Sequence, residues 1–314
     1  MIKFVTSVGI AIASFFGLIL VLVGWLFATT PRPTDIKDCL TTKMFSVRLC
    51  PKEPGYVRLS EVSSAAKNAV LVSEDSAFYD HNGVDWFELR QSAEKNWKTN
   101  QFARGGSTIT QQLAKNVYLS SEKSILRKVR ELIITIQLEK TLSKNEILEK
   151  YLNVVEFGPN LFGIGKASRF YFGKSPSALT PAEGAFLAFL LPNPKNYSVS
   201  FRKKQLTRFA HSQMRVIVDR LYRFKRISAE EHERAVYQVN NFYGSSGFDS
   251  ESFDPSIEPS AEESADPGEE SVLGSFEGLA PAAKFKRPPP PDPEPLEDAP
   301  EEPVEDSVDS ENLE

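Results

Sequence analysis

Three short runs between residues 74 and 131 carry side chains whose types and spacing could do chemistry. The first ends in Glu74 and Asp75, which close an apolar helical pattern set by Val62, Ala65, Ala66, Ala69 and Val70. Such a pattern delivers a carboxylate to the rim of a core, where burial raises a Glu pKa and fits it for acid or base work. A solvated helix end is the plainer meaning of the same residues. His81, taken alone, reads as structural rather than catalytic.

The second run is Arg104-Gly105-Gly106-Ser107-Thr108-Ile109-Thr110-Gln111-Gln112-Leu113-Ala114-Lys115-Asn116. Two adjacent glycines free the backbone, and Ser107 is placed to cap a helix whose free N–H groups and positive dipole end face them. A helix end of that kind can take an anion. Gln111 and Lys115 share one face at i,i+4, and Gln112 and Asn116 share the next. A polyoxygenated anionic ligand fits this pattern, and so does a glycine turn before an ordinary solvated helix. It is not a nucleotide P-loop, because the G-x-x-x-x-G-K-[ST] spacing is absent. In the third run Ser124 can cap a helix that sets Arg127 and Lys128 four and three residues before Glu131. Ion pairing on a helix surface explains such spacing. Cations gathered near an anion-binding loop also suit phosphate, for which Arg offers a bidentate fork.

The elements that must position these groups read as helices. Asp85 with Glu88, Ser143 with Glu146, and Ser228 with Glu231 have capping-box spacing, and Thr180-Pro181-Ala182-Glu183 adds a proline at the first helical position. Residues 157–173 mix glycines with aromatics and predict a turn followed by a short packed helix. Residues 181–191 are almost wholly apolar and too few to cross a membrane, which predicts a buried central helix. Strand-like alternation is scarce, so the fold class is all-α, with one core over residues 57–240.

Charge divides the chain. Residues 1–244 hold 34 Lys and Arg against 21 Asp and Glu, a net of +13, whereas residues 245–314 carry −18. The basic part favours nucleic acid, anionic lipid or phosphate-bearing ligands. Residues 4–28 contain no charge and, at ~1.5 Å each, reach far enough to cross a bilayer. No A-x-A-like site follows, so residues 1–28 predict an uncleaved transmembrane anchor rather than a signal peptide. Residues 29–56 form a Pro-containing connector in which Cys39 and Cys50 could pair outside the cytoplasm. The tail, residues 241–314, is acidic, Pro-rich and poor in large apolar groups, which predicts disorder.

Residues 74–83, 104–116, 127–131 and 144–153 resemble, in order, the successive motifs of the peptidoglycan glycosyltransferases of family 51. The resemblance covers residues 57–197. It implies a lysozyme-like fold with a larger head and a smaller jaw dipping into the membrane near residues 87–104, where Trp97 and Phe102 would sit at the interface. It implies lipid II as substrate, polymerised into β-1,4 glycan strands at the outer face of the cytoplasmic membrane with release of undecaprenyl diphosphate. Glu74 would be the general base on the acceptor 4-hydroxyl, and Glu131 the second essential carboxylate. The implied substrate-binding residues are Asp75, Phe78, His81, Arg104, Gly106, Ser107, Thr108, Gln111, Gln112, Lys115, Asn116, Lys123, Arg127 and Lys128. Lys123 departs from the family, where many relatives carry Arg. Glu149 and Glu156 are further carboxylates without an expected catalytic role, Glu149 pairing within its own helix.

The leaving diphosphate needs positive charge already in place, and Lys115, Arg127 and Lys128, with Lys123 and Arg104 as further candidates, answer that need. Residues after Tyr197 leave no room for a transpeptidase domain and contain no K-T-G triplet, so a monofunctional enzyme is expected; Ser120 to Lys123 and Ser200 to Lys203 match S-x-x-K without support. A lytic, lysozyme-like enzyme is the catalytic rival, but cleaving polymer needs no cationic diphosphate site. An inactive membrane-tethered scaffold is the non-enzymatic rival. Lipid II, the growing strand, the membrane and cell-wall synthesis or division proteins are the expected partners, and nucleic acid is not. The His and Cys residues give no metal ligand set by spacing, which leaves a divalent cation such as Mg or Mn at the diphosphate as the one open cofactor.

Overall fold

The apolar run at 181–190 forms a buried helix of the hydrophobic core. A computed structural model of the chain describes residues 2–99, 106–122 and 124–243. In chain order it has α1 (Ile2–Thr29), the two-stranded β1 (Leu40–Thr41) and β2 (Arg48–Leu49), α2 (Ser64–Glu74), α3 (Trp86–Thr99), α4 (Ile109–Tyr118), α5 (Ile125–Thr141) and α6 (Lys144–Val154). A second hairpin, β3 (Glu156–Gly158) and β4 (Leu161–Phe162), is followed by α7 (Ile164–Phe172), α8 (Pro181–Leu190), the short α9 (Pro194–Tyr197) and α10 (Val199–Arg202), then α11 (Arg208–Arg223) and α12 (Ala229–Asn240). The architecture is mainly helical, as expected.

Helix α8 starts at a capping box between Thr180 and Glu183 with Pro181 in the first turn, and buries every residue from Gly184 to Leu190. It packs on α2 and α11. Gly184 makes the α2 contact close: a Cβ there would lie 2.8 Å from the Ala66 Cα. Phe186 is fully buried and meets Tyr171, Phe172 and Phe242 edge-on or tilted, with centroids 5.1–5.9 Å apart. Helix α8, fixed by this cluster on one side, packs on the helix that ends in Glu74. Ser143 and Ser228 cap α6 and α12 through the reciprocal bonds read from the sequence. Asp85 accepts the Glu88 N–H (2.9 Å) at the start of α3.

Two sequence expectations need correction, and a third segment is more tightly packed than its composition suggests. The Pro-containing connector at residues 29–56 also contributes to the core. Ile36 and Leu49 are fully buried in it, Asp35 accepts a hydrogen bond from the Tyr118 hydroxyl (2.9 Å), and Lys43 N–H donates to the Val117 carbonyl (2.9 Å). Cys39 and Cys50 are disulfide-bonded beside the Leu40–Leu49 pair of the antiparallel β1–β2 hairpin. The segment at 157–173 begins with the antiparallel β3–β4 hairpin, not a simple turn; strands of two or three residues are too short to show a period in sequence. Glu149 does not pair within its helix. It accepts from the Tyr56 hydroxyl and the Leu59 N–H, both at 2.7 Å, and so fastens the chain before α2 to α6.

Helix α1 is long and apolar enough to cross a membrane by length and composition. The jaw expectation falls on α3 and beyond: α3 exposes Trp86 and Phe87, while the side chain of Trp97 and the whole of Phe102 lie outside the described residues. The tail expectation lies outside them from residue 244 onward.

Candidate active site

The C-terminal end of α2 carries the first carboxylate. Glu74 is half-buried, and its Oε2 accepts the Gln112 Nε2 of α4 at 2.9 Å. The Gln112 Oε1 in turn accepts the hydroxyl of Tyr151, on α6, at 3.1 Å. Tyr151 is fully buried, and burial followed by the charges of Glu74 and Asp75 holds its phenol well above the usual range. It therefore stays a donor, which fixes the orientation of the Gln112 amide and presents an N–H to Glu74. The sequence reading gave Tyr151 no role. The signal was available in its place beside Leu148 and Leu152 on an apolar helix face, where a buried phenol needs a partner.

Asp75, the next residue, does a different job. Its Oδ2 accepts the Ile109 N–H (3.0 Å), the first donor of α4, and its Oδ1 meets His81 Nε2 at 2.9 Å. The His81 Nδ1 accepts the Gly83 N–H (3.1 Å), so the ring proton is on Nε2, facing Asp75. Gly83 has φ +86°, and a Cβ there would meet Thr135 Cγ2 at 2.7 Å. The cap of α4 is Thr108, not Ser107. Thr108 Oγ1 accepts the Gln111 N–H (3.2 Å), Gln111 Oε1 accepts the Thr108 N–H (3.1 Å), and the Thr108 hydroxyl donates to the Gly83 carbonyl (2.6 Å). The helix end expected to cradle a ligand anion thus already holds the carboxylate of Asp75. Asp75, His81, Thr108 and Gln111 form a clamp between α2 and α4, and Phe78, 1% exposed, belongs to the core rather than a binding surface. Asn116 is buried and its carbonyl accepts the Met44 N–H (3.3 Å).

Positive charge collects one helix away. Glu131, 2% exposed on α5, accepts Arg127 Nη1 at 3.0 Å and is in contact with Lys128 Nζ. Lys128 Nζ also donates to Ser107 Oγ (3.1 Å), tying the glycine run to α5. Ser124 caps this helix through the Arg127 N–H (3.1 Å). Lys115 of α4 lies in the field of both carboxylates, and its ammonium makes no hydrogen bond or ion pair among the described residues. Burial lowers its pKa first, with Arg127 and Lys128 acting the same way and Glu131 and Glu74 opposing them. The Nε of Arg127 is buried without a partner among the described residues. Among the described residues the cluster has three cations and one buried anion, with the Arg127 Nε left over for a ligand. Gly106 sits at the α3 side, where a Cβ would touch the Glu88 Cβ at 3.4 Å. Arg104 and Lys123 lie outside the described residues.

Such a site can hold a doubly charged leaving group against Lys115, Arg127 and Lys128 while Glu74 takes a proton on the other side of Gln112. A family model described as Transglycosylase matches residues 43–222. A biosynthetic peptidoglycan transglycosylase from Azoarcus sp. (strain BH72) is 42% identical over 204 residues, covering 62% of this chain and 87% of that one. A protein of the same name from Acinetobacter baumannii (strain SDF) is 37% identical over 210 residues, covering 63% and 93%. Penicillin-binding protein 1A from Haemophilus influenzae matches with a TM-score of 0.27 and 25% identity over 49% of this chain and 17% of its own. The model match begins inside the disulfide hairpin, ends in α11 and takes in every element that carries a site residue, and on that span the chain belongs to the transglycosylase family.

Proposed function

We propose that this protein polymerises lipid II into β-1,4-linked glycan strands of peptidoglycan, releasing undecaprenyl diphosphate, as a single-pass protein of the cytoplasmic membrane with its helical domain on the outer side. The curated relatives are named for peptidoglycan biosynthesis, and α1 supplies a candidate anchor. The observation that carries the reading is the ammonium of Lys115, which lies in the field of Glu74 and Glu131 and makes no hydrogen bond or ion pair among the described residues. In the reaction Glu74 accepts the proton of the acceptor 4-hydroxyl as that oxygen forms the new bond to the anomeric carbon of the growing strand. The bond from that carbon to diphosphate breaks, with inversion, and the bonding electrons leave on the diphosphate oxygen. Lys115, Arg127 and Lys128 stabilise that charge with donors already in place, at no cost of reorganisation. Gln112, aligned by Tyr151, keeps the Glu74 carboxylate aimed at the hydroxyl.

Among the described residues no group of three or more His, Cys, Asp or Glu side chains could hold a metal ion. The carboxylates at the site are engaged by Gln112, Arg127 and Lys128, and a divalent ion, if bound, would add positive charge at the diphosphate.

The test is incubation of the purified full-length protein with lipid II and, separately, with sacculi. Polymer from lipid II and intact sacculi are expected, with Glu74→Gln lowering polymerisation by about a thousandfold or more. Cleavage of sacculi without polymerisation would overturn the assignment, and an active Glu74→Gln would remove Glu74 as base.

A further inference from the structure

The cationic turn of α5 is poorly held by the core. None of the side chains from Ile125 to Arg130 is buried; the first buried residue of the helix is Glu131 itself. A turn that must keep Arg127 and Lys128 fixed against Lys115 needs another hold. Ser107 supplies one through Lys128. The other comes from the membrane helix. The Arg130 guanidinium lies over the indole of Trp25, 5.4 Å from the ring centroid, and its Nη2 donates to Thr29 Oγ1 at 3.5 Å. Trp25 and Thr29 are one turn apart on α1, and Thr29 Oγ1 itself donates back to the Trp25 carbonyl (2.8 Å). Between them Leu26 is buried, as is Thr30 just beyond, so the end of α1 is seated on protein. The chain then continues along α5, where residues 33–35 pack, before Asp35 reaches Tyr118 of α4.

We infer that Arg130 is a positioning residue, clamping the exit of the membrane helix at Trp25 and Thr29 to α5 and so setting the placement of Arg127, Lys128 and Glu131 against Lys115 and Glu74. The inference rests on the polymerase reading above. Arg130 touches no reacting atom. It acts through the backbone of α5, one residue before Glu131, so its loss lets the first two turns of α5 shift while the helix stays folded. The anchor is then part of the active-site architecture as well as a tether. A cation over an indole at a partly desolvated site is strong enough to matter for such a placement.

The experiment uses the full-length protein in lipid vesicles, with lipid II polymerisation followed at saturating and at limiting substrate. Arg130→Ala is expected to lower kcat about fivefold to thirtyfold with little change in KM, Arg130→Lys to recover most of it, and Trp25→Leu to resemble Arg130→Ala. In the double variant the two losses should not multiply, because each removes the same contact. Trp25 is half exposed, so Trp25→Leu remains a valid test if Arg130→Ala fails to fold. Wild-type kcat in Trp25→Leu, or losses that multiply in the double variant, would overturn the inference. Failure of the wild-type protein to polymerise would instead overturn the functional reading.

Discussion

The N-terminus of α4 and the first turns of α5 look alike as candidate anion sites and are built in opposite ways. The α4 end has glycines, hydroxyl caps and an open dipole in sequence, yet Asp75 occupies its first N–H, and Thr108 and Gln111 bond each other reciprocally. The α5 turns read as a common helix-surface ion pair, yet the carboxylate there is 2% exposed and serves two cations from the same helix with a third nearby. The first region has spent its electrostatics on its own fold. The second keeps a surplus of charge and, in the Arg127 Nε, a buried donor without a partner among the described residues. Apparent anion sites therefore have to be judged by what already fills them, not by dipoles or charges alone.

Lys115 gives the largest separation between the two. Lys115→Met should lower polymerisation by about a hundredfold to a thousandfold, since it removes a donor aimed at charge that develops in the reaction. The same substitution should raise Tm. Burial and the neighbouring cations hold the Lys115 pKa below the ordinary lysine range, so its charged form costs native stability at neutral pH. That cost is fully present below the depressed pKa and fades as pH rises through it, so the Tm gain of Lys115→Met should shrink at alkaline pH. The alkaline limb of the activity profile should likewise fall below the usual lysine range. Paired Tm and rate measurements across pH check both, and a lower Tm at neutral pH would show that Lys115 has a stabilising partner.

How much of this was legible in sequence follows from range. Caps at Ser124, Ser143, Thr180 and Ser228 are decided within three residues, and all four were read correctly. The α4 cap was misread by one position because Ser107 and Thr108 both carry hydroxyls, and only the Gln111 side chain decides between them. The Asp75 bond to Ile109 spans 34 residues and the Glu149 bond to Tyr56 spans 93. No local pattern announces either: the resemblance put Asp75 on the substrate, and neighbourhood alone put Glu149 in a pair within its own helix. Carboxylates and cations at 74, 115, 127, 128 and 131 were legible as a set, because motif order carries long-range information that periodicity does not.

Asp75→Asn tests the filled region and should act mainly on stability. Asn can still accept the Ile109 N–H, but its amide would then point N–H groups at the protonated His81 Nε2, and flipping the His81 tautomer would oppose the Gly83 N–H. Losing a buried hydrogen bond to a charged group costs about 2 kcal/mol, or about 5 °C in Tm for a domain of this size. Activity of the folded fraction should fall less than about tenfold, because Gln112 and Lys115 remain on α4. A normal Tm with collapsed activity would place Asp75 on the substrate and reopen the α4 end as a ligand site.

Ser107 joins the two regions and should show the smallest effect. Its hydroxyl accepts from Lys128 Nζ, but that ammonium is about half exposed and keeps Glu131 as a partner. An exposed bond of this kind is worth about 0.5 kcal/mol, so Ser107→Ala should lower the rate only about twofold and leave Tm unchanged. The loss should shrink further at high salt, which screens an exposed cation but not the buried Glu131 pair. A drop beyond tenfold would mean that the Ser107 hydroxyl meets the diphosphate directly. In that case the glycine run would bind the anion with a side chain, while its helix end remained closed by Asp75.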